Sequence, residues 1–169
     1  MHTTLFFTAI TLFVLPLTSS AEGINCHGSS PTCELFTPDP GFEGKITDRL
    51  MEYINQLPND KVYPPGVNII CIPGWWPQPR IGSPSEPGLP GNPGGIDKIP
   101  GGVCAFLQGG SPAKTGWEVK YLMGALRDHG CKACGSVPVT WPGDNNIKNG
   151  MLTSNFVSNP KVGLCKGVC

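Results

Sequence analysis

The eight cysteines of this 169-residue chain constrain its fold more than any other feature. Two cysteine signatures stand far apart in the sequence: GINCHGSS at residues 23–30 with Cys33 close behind, and HGCKACGS at residues 129–136. If the two signatures are bridged, they fasten the start of the domain to its C-terminal half. Such a framework is typical of an extracellular domain, in which four disulfides would each contribute ~2–4 kcal/mol of stability.

The N-terminal segment supports an extracellular location. Residues 5–17 are mostly apolar (LFFTAITLFVLPL), and small residues follow as far as Ala21. This pattern predicts a secretory signal peptide over residues 1–21, cleaved after Ala21. The alternative is a transmembrane anchor, which needs about 20 apolar residues, and the run is shorter than that. We therefore expect a secreted mature domain at residues 22–169 that is not embedded in a membrane.

The charge composition limits the classes of partner. The chain has 12 basic and 12 acidic residues and a formal net charge of zero, which argues against a nucleic-acid partner. After Gly130, however, four lysines accompany a single acidic residue, Asp144. A solvated surface is the simpler explanation, and a mildly basic face toward an anionic partner is the sharper one.

Hydrophobic periodicity predicts two helices. Between residues 46 and 57 the apolar residues recur at helical spacing, and Pro58 ends the pattern. The second helix begins with a capping box formed by Thr115 and Glu118 and stops at Gly130. We expect the apolar stripe of each helix to face the core.

The strand candidates lie at residues 67–72, 103–108, 136–140 and 151–157. Turn sequences at residues 142–145 and 148–150 separate the last two candidates, which predicts an antiparallel pair. Helices and strands do not alternate with the regular rhythm of a parallel sheet. The predicted class is therefore α+β, with two helices laid on one antiparallel sheet.

The chain changes character between residues 73 and 102, where 16 of the 30 residues are proline or glycine. This segment has too few apolar residues to form a core of its own, and we predict an insertion loop over residues 73–102.

The motif that could carry chemistry is Cys131-Lys132-Ala133-Cys134. In thiol oxidoreductases such a pair sits at a helix N-terminus, whereas here it follows the helix, so redox activity is disfavoured. A zinc site built from Cys26, Cys33, Cys131 and Cys134 is an alternative, but it needs reduced thiols. We therefore expect these cysteines to be structural.

Other catalytic arrangements find little support in the sequence. The serine-nucleophile elbow fails at residues 109–113, where Ala113 replaces the last glycine. A carboxylate pair assembled only by folding stays open, and His27 and His129 are expected to be structural or solvated. We predict no enzyme activity, no catalytic residues, no metal site and no cofactor.

Three segments carry a family resemblance: residues 23–30, residues 129–136, and GMLTSNFV at residues 150–157 followed by a C-terminal cysteine. They resemble the killer protein four family, which comprises virally encoded killer toxins of smut fungi and their chromosomal homologues in other fungi. The resemblance implies an α/β sandwich of antiparallel strands with two helices on one face, in agreement with the prediction from the residues.

The resemblance also implies a disulfide connectivity. It pairs Cys26 with Cys131 and Cys33 with Cys134, and it joins the cysteine of the central strand to one near the C-terminus. The preferred assignment for the remaining four cysteines is Cys104 with Cys165 and Cys71 with Cys169.

The resemblance further implies the function: a secreted, monomeric, non-enzymatic toxin that inhibits competing fungi or host cells. Its partner would be a membrane protein of the target cell, a calcium channel in the case of the type toxin. Where the family has an important lysine two residues before the central-strand cysteine, this chain has Gly102. The candidate target contacts are therefore Lys98, Arg80 and Lys132. The alternative is a secreted structural or host-interaction (effector) protein with the toxin fold but no killing activity.

Overall fold

The computed structural model describes residues 23–27, 32–38, 44–79, 96–158 and 167–168. The predicted signal peptide, Arg80, Cys165 and Cys169 lie outside these residues. The helices are α1 (Thr32–Leu35), α2 (Ile46–Ile54), α3 (Gly116–Asp128) and a 3-10 helix (Ile147–Asn149). The strands are β1 (Thr37–Pro38), β2 (Val62–Tyr63), β3 (Asn68–Pro79), β4 (Ile96–Gln108), β5 (Lys114–Thr115), β6 (Gly135–Pro138), β7 (Met151–Ser158) and β8 (Gly167–Val168).

The main sheet has the order β1-β3-β4-β7-β6, and β8 also pairs with β3. Every pairing in it is antiparallel. The short strands β2 and β5 form a separate antiparallel pair beside it. The predicted pairing of the strands at residues 136–140 and 151–157 is confirmed, since β6 lies antiparallel to β7.

One face of the main sheet carries the hydrophobic core. Alternate residues of β4, namely Val103, Ala105 and Leu107, are fully buried and belong to the core cluster. The apolar stripes of α2 and α3 belong to the same cluster, with Leu50 and Leu122 among their most buried members. Side chains of a strand alternate between the two faces of its sheet, so both helices pack on one face. The α+β prediction is confirmed.

Both helices begin where the sequence predicts. Helix α2 starts at Ile46 and ends at Ile54, short of the predicted end at residue 57, because a turn precedes Pro58. At the start of α3, the Thr115 side chain accepts a hydrogen bond from the Glu118 amide, and the Glu118 carboxylate accepts one from the Thr115 amide. Gly130 follows α3 with φ +100°, the conformation that glycine tolerates best. The predicted cap and stop are confirmed.

This cap gives a pH-dependence prediction for Glu118→Gln. Hydrogen bonding from the Thr115 backbone, assisted by Lys114, lowers the pKa of Glu118 from its ordinary value of 4.5. A lowered pKa means that the carboxylate stabilises the fold fully above pH 4.5, and that this stabilisation is lost as pH falls through the lower folded value. Glutamine keeps the capping geometry without charge, so we expect a loss of about 0.5 kcal/mol at pH 7. Urea unfolding of both proteins from pH 7 to pH 2 should show their stabilities converging in acid. A constant difference would contradict the prediction.

The predicted loop at residues 73–102 is wrong at both ends, because β3 continues to Pro79 and β4 begins at Ile96. The Cα atoms of Cys71 and Cys104 are 4.0 Å apart, the short spacing of a pair that exchanges no backbone hydrogen bonds. Pairs of this kind recur at every second residue along β3, so Pro73, Pro77 and Pro79 belong to the same kind of pair as Cys71. Pro100 of β4 lies opposite Trp75, which is also one of these positions. Each proline therefore stands where the β3–β4 pairing needs no amide hydrogen. The segment at residues 80–95 lies outside the described residues.

The structure contains three disulfides in its described part. Cys26 is bonded to Cys131 and Cys33 to Cys134, the pairs that the family resemblance implies. The third bridge joins Cys71 to Cys104. The predicted pairings of Cys104 with Cys165 and of Cys71 with Cys169 are therefore wrong. The physical reason is the register, which places Cys71 directly opposite Cys104 on neighbouring strands.

Candidate target-binding surface

Beyond the sheet, β3 and β4 continue as a two-stranded ribbon, which we define as residues 76–79 paired with residues 96–99. The pairing of β4 with β7 stops at Gly101 opposite Ser158, so the ribbon extends past the last residue of β7.

Lys98 is the candidate contact that the ribbon carries. Its side chain is exposed, and its Nζ lies 4.5 Å from the centre of the Trp75 ring. Lys98 pairs with Pro77, so Trp75 is its diagonal neighbour on the same face of the ribbon. A cation–π contact at an exposed site contributes about 0.5–1 kcal/mol. It holds the ammonium group over the ribbon and leaves it open to solvent.

Lys132 lies in the turn between α3 and β6. Its carbonyl oxygen accepts hydrogen bonds from the amide of Thr47 at 3.1 Å and from the Thr47 hydroxyl at 3.3 Å. Thr47 is fully buried, and its hydroxyl also donates to the carbonyl of Cys131 at 2.7 Å. The turn is thus fixed from inside by Thr47 and by the bridges of Cys131 and Cys134, while the Lys132 side chain stays exposed.

The strand register shows that both lysines lie at one end of the sheet. Gly135, just after the Lys132 turn, lies opposite Ser154, and Ser154 lies opposite Ala105. From Ala105 the chain of β4 leads back towards the ribbon and Lys98. The Lys132 turn and the ribbon therefore leave the sheet at the same end.

A third exposed lysine at this end is not among the candidates predicted from the sequence. Lys45 precedes α2 by one residue and is exposed, and Thr47, two residues later, bonds to Lys132. A single lysine before a helix does not mark a binding residue in the sequence. Its position near Lys132 follows only from the hydrogen bond between Thr47 and Lys132. We call Lys45, Lys98 and Lys132 the basic end. The remaining candidate, Arg80, lies outside the described residues.

Gly102, where the family resemblance implies a lysine, is buried within β4, between Pro73 of β3 and Val157 of β7. A lysine at position 102 would therefore have to project its side chain from the middle of the sheet. The exposed lysine next along the chain is Lys98, four residues earlier.

The sulfurs of Cys131 and Cys134 are bonded to distant cysteines and not to each other, so this motif does not form the dithiol pair of an oxidoreductase. His27 and His129 are both exposed. Among the residues that the structure describes, no group of three or more histidine, cysteine, aspartate or glutamate side chains is placed to hold a metal ion.

The stapled α+β sandwich and the basic end define a small disulfide-bonded protein that presents exposed cations at one end of its sheet. The model of the killer toxin Kp4 family matches residues 9–158 of the chain. The chain belongs to this family and is a killer-toxin-like protein, and the family is not known for enzymatic activity. No curated protein matches the chain significantly. Within the described residues, no helix has the length and apolar character needed to cross a membrane.

Proposed function

We propose that this chain is a secreted, monomeric toxin that inhibits the growth of competing fungi or host cells by blocking a calcium channel, without a catalytic step. The observation that carries the proposal is the family match over residues 9–158. The disulfide bridges support secretion, because such bridges persist in oxidising compartments.

The basic end supports a channel as target. Cation pathways attract positive charge with rings of acidic side chains, and an exposed ammonium group on a projecting ribbon has the shape and sign to approach such a ring. Lys98 is therefore the proposed principal contact, and Lys132 is a second contact on a turn that is already rigid. Arg80 stays a proposed contact from the sequence.

We expect Lys98→Ala to raise the concentration needed for half-maximal growth inhibition at least tenfold, because a lost charge contact of about 1.4 kcal/mol changes binding by that factor. Lys132→Ala should have a smaller effect in the same direction. Lys148→Ala is the matched control: Lys148 is exposed in the 3-10 helix that precedes β7, at the opposite end of the sheet. The measurement is a dose series on susceptible fungal cells and root tissue, with and without added calcium.

Added calcium should restore growth in the presence of the unmodified toxin, and thermal melts should show that all variants stay folded. If the Lys98 and Lys148 variants inhibit growth with equal potency, the basic end does not contact the target. Growth inhibition that added calcium does not change would contradict channel blocking itself.

A second candidate is an effector or structural protein that keeps the toxin fold without killing, and Gly102 favours it. If the buried glycine marks the loss of the family's toxic contact, neither the unmodified chain nor any variant inhibits growth. The same dose series separates the two candidates.

A further inference from the structure

The outer face of α3 borders a cavity of about 490 Å³, which is in the size range of small-molecule sites. One wall is formed by Tyr121, Gly124 and Asp128 of α3, and the other includes Trp141. Side chains at these helix positions lie on one face, because their spacings of three and four residues match the helical repeat. The residues that line the cavity include none of the three lysines of the basic end.

Tyr121 lines this cavity, and Trp117 stacks on Tyr121 one helical turn earlier. Trp117 and Tyr121 stack with ring centres 5.8 Å apart and planes 9° from parallel. Both are largely exposed, at 59% and 45%. Large aromatic side chains exposed side by side are unusual on a monomer and mark a binding surface. Trp141 lines the same cavity as Tyr121, so three aromatic side chains lie at or beside it.

Gly124 supplies clearance beside Tyr121 in the cavity wall. A Cβ atom at this position would meet nothing within 4 Å, so a larger side chain would fit. Glycine inside a helix destabilises it relative to alanine, and no packing contact explains its presence here. Its effect is to keep open the space between Tyr121 and the rest of the cavity.

The polar groups around the rings indicate the class of ligand. Lys120, Asp128 and His129 line the same cavity. Lys120 already donates to Asn59, and Asp128 already accepts from Arg127. The ammonium group has further donors and the carboxylate further acceptor positions, and an imidazole can do both. Charges of both signs disfavour an anionic ligand, and the polar groups interrupt the surface that an apolar helix would need. A sugar ring fits this mixture, because its C–H face is attracted to an aromatic face and its hydroxyls exchange hydrogen bonds at the edge.

We infer that the outer face of α3 is a binding site for a neutral oligosaccharide, with Trp117, Tyr121 and Trp141 as stacking platforms. From Trp117 to Asp128 the helix rises about 16 Å at 1.5 Å per residue, the length of a short chain of sugar units. The site would hold the protein on a polysaccharide surface. This inference goes beyond the proposed channel contact and does not depend on it, since it concerns other residues and is tested by binding alone.

The test is a titration of the full oxidised protein with three soluble probes: hexamers of β-1,3-linked glucose, of β-1,4-linked N-acetylglucosamine and of α-1,6-linked mannose. Calorimetry measures affinity, and NMR follows the four tryptophan indole N–H signals. We expect at least one probe to bind and to shift the signals of Trp117 and Trp141, while those of Trp75 and Trp76 stay in place as internal controls.

Tyr121→Ala should weaken binding at least tenfold, and Val67→Ala, which truncates an exposed apolar side chain just before β3, should leave it unchanged. Gly124→Gln should also abolish binding, because it fills the gap with a good helix former and so cannot act by unfolding α3. The inference would be overturned by no binding of any probe at millimolar concentration, by shifts confined to Trp75 and Trp76, or by undiminished binding by Tyr121→Ala. Signals that depend on protein concentration without sugar would show that a second copy occupies this face, and would overturn it too.

Discussion

Removing both bridges that join the two ends of the domain should destabilise the protein by about 7 to 8 kcal/mol, roughly 2 kcal/mol more than the sum of the two single removals. The two bridges are parallel cross-links, since they span 105 and 101 residues between the same two segments. While either bridge is present, the other closes only a small ring through residues 26–33 and 131–134. A ring of about a dozen residues contributes about 3 kcal/mol, whereas the first closure of a loop of about 100 residues contributes about 4.7 kcal/mol.

The measurement is a cycle of alanine variants: Cys26→Ala with Cys131→Ala, Cys33→Ala with Cys134→Ala, and all four together. Denaturant unfolding gives the free energy of unfolding of each, in stabilising salt if the four-alanine variant is largely unfolded in buffer. The control cycle replaces the second pair by Cys71→Ala with Cys104→Ala, which removes a bridge of separation 33 between neighbouring strands. Its coupling to the Cys26 bridge should be close to zero. Equal coupling in both cycles would contradict the parallel arrangement.

The elements that sequence analysis predicted well are those whose signals are local. The capping box of Thr115 and Glu118 lies within four residues, and its hydrogen bonds form whatever the rest of the chain does. The apolar stripes of α2 and α3 follow from helical spacing in the same way. The end of α2 was less predictable, because the turn before Pro58 can be helical or non-helical at similar free energy.

The elements that were missed depend on pairing between distant residues. Four prolines made the ends of the segment at residues 73–102 look like loop, and only the phase of the β3–β4 pairing shows that none of them removes a hydrogen bond. The bridge of Cys71 to Cys104 follows from that same register, which no local pattern contains. A shift of one residue would have turned the two side chains to opposite faces of the sheet.

The candidate site, too, has features that the sequence predicts and others that only the strand pairing shows. Lys98 and Lys132 could be named from the sequence as isolated cations, but their position at one end of the sheet follows from the strand order. Lys45 joins them only through the hydrogen bond between Thr47 and Lys132. The aromatic pair on α3 could not be predicted for a different reason. A helix sequence shows which positions share a face, but the exposure of Trp117 and Tyr121 depends on what packs against that face.

Gly150→Ala should destabilise the protein by about 4 kcal/mol, because it combines a backbone conformation that favours glycine with a collision against backbone atoms. Gly150 has φ +98° and ψ 167°, a conformation open almost only to glycine. In addition, a Cβ atom here would collide with the backbone of Ser111, in the turn after β4. Backbone cannot move aside as a flexible side chain can, so strand β7 would have to shift against β4 at Met151 and Gln108, where their pairing begins.

Gly130→Ala is the matched control for this prediction. Gly130 has nearly the same φ, +100°, but a Cβ atom there would meet nothing within 4 Å. Its substitution tests the cost of a positive φ without a collision, about 1–2 kcal/mol. Urea unfolding of the two variants should therefore differ by 2 kcal/mol or more, and amide exchange should rise at the start of β7 in the Gly150 variant alone. Equal losses would mean that the collision with Ser111 relaxes without cost, and that the junction of β4 and β7 is set by the turn conformation instead of by the close approach of its two backbones.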